Sequence, residues 1–158
     1  MNKVIVKALM LDPVSNIPVV ILKDTENSRL LPIWLGNFEA NAIAMYLENL
    51  TAPRPMTHDL LNRFLQLTEA KVLRVVVSDL RDSTFYAEIL IHSDQRELCI
   101  DARPSDAIAI ALRASAPIFV AESVFQKIAS VAPEADENQR KLHALVDSLN
   151  EAGDAVEN

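Results

Sequence analysis

The 158-residue chain has two glycines, Gly36 and Gly153, and a single cysteine, Cys99. Two glycines so far apart exclude the phosphate-cradling loops of the Walker and dinucleotide types, which need several glycines at close spacing. One cysteine excludes an internal disulfide framework and any paired C-x-x-C metal knuckle, and in its apolar strand Cys99 reads as a core residue. The patterns H-E-x-x-H and G-x-S-x-G are missing as well, which removes the common zinc-hydrolase and serine-hydrolase signatures. Lys3 and Lys7 interrupt the N-terminal MNKVIVKALML, so it is neither a signal-peptide core nor a span of ~20 apolar residues. The expected compartment is therefore the cytoplasm, with no membrane attachment. Aromatic residues make up only 5% of the chain, and no stripe of basic residues marks a tight, sequence-blind nucleic-acid binder.

What is present is a chain with 50% apolar and 23% charged residues. At ~100–200 residues per domain, this length suits one globular unit that needs no covalent staple. The net charge of −7 is unevenly spread. Residues 126–158 hold 3 basic and 7 acidic residues, so more than half of the acidity sits on an alanine-rich tail. We therefore expect a domain over residues 1–125 and an acidic tail over 126–158. Leu142, Leu145, Val146 and Leu149 form a narrow apolar stripe there, on a helix from about residue 137 to 151, loosely attached or in contact with another subunit.

Strand patterning covers residues 3–11, 17–23 and 29–35, with Pro32 confining the third strand to a sheet edge or an irregular end. Residues 37–50 read as a helix buried on most sides. The segment from Thr51 to Glu69 holds Pro53 and Pro55 and then a helix with Thr57 as N-cap, Asp59 in its first turn and an apolar stripe of Leu60, Leu61, Phe64 and Leu65. Residues 70–78 and 83–91 form a hairpin, 96–101 a strand, 104–114 a helix opened by proline and acid, and 117–123 a short closing strand or turn. Displaced by 67 residues, the chain matches itself at Asp12/Asp79, Arg29/Arg96, Leu31/Leu98, Ile33/Ile100 and along Ala40–Ala44 against Ala107–Ala111. The expected fold is thus α+β, with two β-β-β-α halves of mostly antiparallel sheet, a helical insert between them and a C-terminal helix.

The repeat sorts the polar residues. Asp12 and Asp79 recur as turn aspartates, and Asp106 recurs as Glu39, an acid facing a helix N-terminus; a structural role explains them. Arg54 and His58 lie in the insert, and Asp101 and Arg103 face Trp34 and Gly36, so symmetry does not explain these four. A brace of Arg–carboxylate pairs across the joint of the two halves is the competing account.

The strings LPIWLGNFEANAIAMYLE, APRPMTHDLL and CIDARPSDAIAIALR, with DSTFYAEI between them, closely resemble the bifunctional nuclease family over roughly residues 3–125. Many members have a glycine in the turn where this chain has Asp82-Ser83-Thr84. The resemblance implies a compact α+β domain, degradation of DNA and RNA, self-association into a homo-oligomer, and candidate site residues Arg54, His58, Asp59, Asp101, Arg103, Ser105 and Asp106. Phosphodiester hydrolysis needs an activated water and neutralised phosphoryl oxygens, most often through divalent metal. On that chemistry Asp101 and Asp106 hold Mg²⁺ or Mn²⁺, Arg54 and Arg103 clamp phosphate with Ser105 beside them, and His58 relays a proton near Asp59. No organic cofactor is expected. The alternative is a non-catalytic module that recognises an anion, a peptide or a partner subunit through the same motifs, favoured by the acidic net charge. A third reading is a structural oligomer with these motifs at its subunit contacts.

Overall fold

A computed structural model describes residues 1–130 together with 144, 145, 147 and 148. Its elements run β1 (Asn2–Leu11), β2 (Pro18–Asp24), β3 (Leu30–Trp34), α1 (Asn37–Leu47), α2 (Thr57–Leu67), β4 (Lys71–Arg81), β5 (Thr84–Ser93), β6 (Arg96–Ala102), α3 (Pro104–Ala114), β7 (Ile118–Val120) and α4 (Glu122–Ala129). All seven strands join one sheet in the order β3-β2-β1-β7-β4-β5-β6, antiparallel except for the β4–β7 pair. The molecule is α+β. Among the described residues no helix is long and apolar enough to cross a membrane.

Two three-stranded meanders, each followed by a helix, flank the three residues of β7. Those residues read from the sequence as a short closing strand or turn; they form a strand, with Ile118 and Val120 buried at the centre of the sheet. The hairpins owe their tightness to residues in the left-handed region. Asp82 and Ser83 have φ of 47° and 59°, and Asp94 and Gln95 have φ of 49° and 62°. Positive φ at both central residues is the turn whose twist suits a two-residue hairpin, here built without glycine. Pro32 lies on β3, one edge of the sheet, where a missing N–H costs no ladder bond.

One sheet face carries the main core, in which Val20, Leu22, Val75, Val77 and Ile89 meet Ile43 of α1 and the Ala107–Ala111 run of α3. Strand alternation turns Val19 and Ile21 to the opposite face, where Leu145 packs on them and on Leu30. Of the expected tail stripe, Leu142, Val146 and Leu149 lie outside the described residues. Helix α4 crosses the boundary expected at residue 125, with Val124, Phe125 and Ile128 in the main core.

Several local expectations are corrected. Helix α1 buries only Ala40 and Ile43 rather than most of its circumference. Met56, not Thr57, is the N-cap of α2, and its N–H donates to the Asp59 carboxylate over 2.9 Å. Of the stripe on α2 only Leu65 is buried; Leu60, Leu61 and Phe64 are exposed. Asp79 lies within β4 rather than in the turn, where it pairs with Lys127 of α4. Cys99 is exposed, because β6 is the outer strand and no described element covers it.

Candidate active site

Helix α1 packs on α3 and so does α2, which brings the first turns of all three helices to one groove. Each helix start supplies one or two polar side chains. Pro104 opens α3 with Arg103 as its N-cap and Asp106 in the first turn, a placement favoured by the exposed N–H groups of the helix end. His58 lies in the first turn of α2 and Glu39 in that of α1.

These four residues make one contact set. His58 Nε2 is 2.8 Å from Asp106 Oδ1. Arg103 Nε donates to Asp106 Oδ2 at 2.7 Å and Nη2 to Oδ1 at 3.2 Å, while Nη1 donates to Glu39 Oε1 at 2.8 Å. A guanidinium carries five N–H donors, so Arg103 keeps donors that no described residue uses. Its side chain is 65% exposed, whereas His58 is largely enclosed. Burial pushes the Asp106 carboxyl up, but Arg103 and then His58 more than offset this and hold it below the usual carboxylate range. Glu39 is held low first by its own backbone N–H and then by Arg103, which in turn is pushed up by both carboxylates. A Cβ on Gly36 would lie 2.2 Å from Glu39 Oε2, so the glycine leaves room for that carboxylate to fold back over the helix start. The set lines a cavity of about 360 Å³ together with Phe38 and Met56.

The remaining candidates lie elsewhere. Asp59 turns away from His58 and accepts from Arg113 Nε at 2.6 Å, and this guanidinium holds its carboxyl low. Arg113 is 7% exposed and also donates to the carbonyls of Ala42 and Ala109, tying the three helices together. Nothing in the sequence singled it out, beyond an arginine in the last turn of an alanine-rich helix. Arg54 lines a second cavity of about 720 Å³ with Asp59, Arg63 and Tyr46. Ser105 is buried, which withdraws it as a surface contact for substrate. Asp101 is exposed on β6, paired in register with Glu88. Because Ile100 faces Ile89 on the core side, alternation turns Asp101 to the opposite sheet face. The expected convergence of Asp101 and Asp106 therefore does not occur.

These side chains do not fit a hard divalent cation, which needs several free oxygen ligands. Both Asp106 oxygens and Glu39 Oε1 already accept hydrogen bonds from Arg103 or His58. Among the described residues no group of three or more His, Cys, Asp and Glu side chains is placed to hold a metal ion.

A family model described as the bifunctional nuclease domain matches residues 20–133. Two proteins of Mycobacterium tuberculosis are similar along most of their length: the uncharacterized proteins MT1877 of strain CDC 1551 and Rv1829 of strain H37Rv. Each is 38% identical over 138 residues, which is 87% of this chain and 82% of the relative.

Proposed function

The chain belongs to the bifunctional nuclease domain family, and from that membership and the groove at the helix starts we propose that it hydrolyses phosphodiester bonds of DNA, RNA or both. One observation carries the reading. A histidine oriented by a carboxylate stands beside an exposed guanidinium on the wall of a cavity.

Cleavage requires that a proton leave the attacking oxygen and that charge growing on the phosphoryl oxygens be neutralised. A carboxylate on Nε2 favours the tautomer with its proton there, which leaves the His58 Nδ1 lone pair to accept a proton from water or a ribose hydroxyl. Asp106 stabilises the imidazolium that forms. The unclaimed N–H groups of Arg103 present a planar fork to two phosphate oxygens. Glu39 and Asp106 hold that fork from behind, so it loses little freedom when a phosphate arrives. Asp59 and Arg113 act as positioning residues that seat α2, and with it His58, on α3.

The test is incubation of purified protein with DNA and RNA in Mg²⁺, in Mn²⁺ and in chelator, alongside His58→Ala and Arg103→Ala. Loss of His58 is expected to slow cleavage by roughly 10²–10⁴-fold, the usual contribution of a positioned acid–base group, with little change in melting temperature. A His58→Ala protein that cleaves like the parent removes the reading. Recognition of nucleic acid without chemistry is favoured by one feature, the neutralisation of Arg103 by two carboxylates. Binding of substrate with no shortening over time, in every metal condition, would select it.

A further inference from the structure

Phe38 is the most exposed large apolar side chain among the described residues, at 90%. Folding supplies no reason for it, since α1 reaches the core through Ala40 and Ile43. It stands on the wall of the cavity that holds His58 and Arg103. Eight residues further along α1, ~12 Å at 1.5 Å per residue, Tyr46 lines the larger cavity and is also exposed. The Arg113 guanidinium lies 6.0 Å from the Tyr46 ring centroid. Met45 borders both cavities, so they adjoin along the α1–α2 side. Arg54 and Arg63 line the larger one and have no hydrogen-bonding or ionic partner among the described residues. Across the two cavities four arginines face three carboxylates, in a chain whose net charge is −7.

Two exposed rings along one groove, with free cations in the cavity beside Tyr46, match one ligand chemistry. We propose that this groove is a track for single-stranded nucleic acid, with bases stacked on Phe38 and Tyr46 and backbone phosphates held by Arg54 and Arg63. The inference rests on the nucleic-acid reading above and adds the strandedness of the substrate. An aromatic platform needs an uncovered base face, which an unpaired strand offers and a duplex hides within its own stack. Stacking is tolerant of sequence, because every base has a π-face; the track therefore predicts little base preference.

Fluorescence anisotropy with a labelled oligothymidylate, and with a duplex of the same length, tests this on the full chain and again with His58→Ala. Phe38→Ala is expected to weaken single-strand binding about 5- to 150-fold, with Phe38→Trp restoring it and duplex binding weak throughout. Arg54→Ala and Arg63→Ala should each reduce the slope of log affinity against log salt by ~0.7. Parent-like binding by both Phe38→Ala and Tyr46→Ala, equal affinity for duplex, or no binding by the parent overturns the inference. The two readings fail separately. Cleavage that depends on His58 while binding ignores Phe38 removes only the track, and Phe38-dependent binding without cleavage removes only the chemistry.

Discussion

Two arginines in this protein each bridge two carboxylates, and their surroundings differ in a way that separates a brace from a site. Arg29 pairs with Asp24 and Glu122, each at 2.8 Å, and its guanidinium lies 4.1 Å from the centre of the Phe125 ring. Asp24 is fully buried and also accepts the backbone N–H groups of Glu26 and Asn27. That network pins the β2–β3 hairpin to α4. Arg103 also bridges two carboxylates, at 2.7 and 2.8 Å, but it is 65% exposed against 33% for Arg29, and it borders a cavity with a histidine. Ion pairing alone thus says nothing about role. Unused donors and access to solvent do.

The sharpest way to break the comparison is to remove each arginine in turn. Arg29→Ala strands the buried Asp24 carboxylate and should cost roughly 3 kcal/mol, read as a lower urea midpoint, with cleavage per folded molecule unchanged. Arg103→Ala should cost less than about 1 kcal/mol, because the pair is exposed, yet abolish cleavage. Equal losses of stability in the two variants would erase the distinction drawn here.

Acid titration probes the same contrast at somewhat smaller scale. Burial pushes the Asp24 carboxyl up, but the Glu26 N–H, Arg29 and Asn27 together bring it down to about 2. A folded-state value below the unfolded one stabilises the fold above about pH 4 by ~2 kcal/mol, and this is lost as pH falls from there towards 2. Denaturation midpoints followed from pH 6 to pH 2 should show that loss. In Arg29→Ala the decline over this range should be smaller, because the Asp24 carboxyl loses one of the groups that hold it low. The smallest effect belongs to Gly36→Ala. Its Cβ would push the Glu39 carboxylate aside without disturbing the core, so stability should shift by no more than ~0.5 kcal/mol. Arg103 would lose one of its two supports, and KM for substrate should move more than kcat.

The local layer of the fold was open to reading. Alternation marked the strands, the Pro104–Asp106 start marked α3, and PRPMTHD and IDARPSD drew attention to His58, Arg103 and Asp106. Phe38 escaped notice because a phenylalanine in an apolar helix pattern reads as core, and only the placement of α1 shows that no described residue covers it. Arg113 escaped because burial of a guanidinium depends on Asp59, 54 residues away in the chain. Asp101 reads as a partner of Asp106 because the two straddle the start of α3, but alternation along β6 turns Asp101 to the sheet face opposite Ile100 and the core.

The amino-acid sequence by itself determined the elements and their order, since hydrophobic period, capping and turn chemistry act over a few residues. Only the tertiary structure decided which charges meet. The contact of Glu39 with Arg103 spans 64 residues and that of His58 with Asp106 spans 48. Both exist because α1, α2 and α3 pack with their first turns together, an arrangement set by the shared core beneath them and not by any local signal in the motifs themselves.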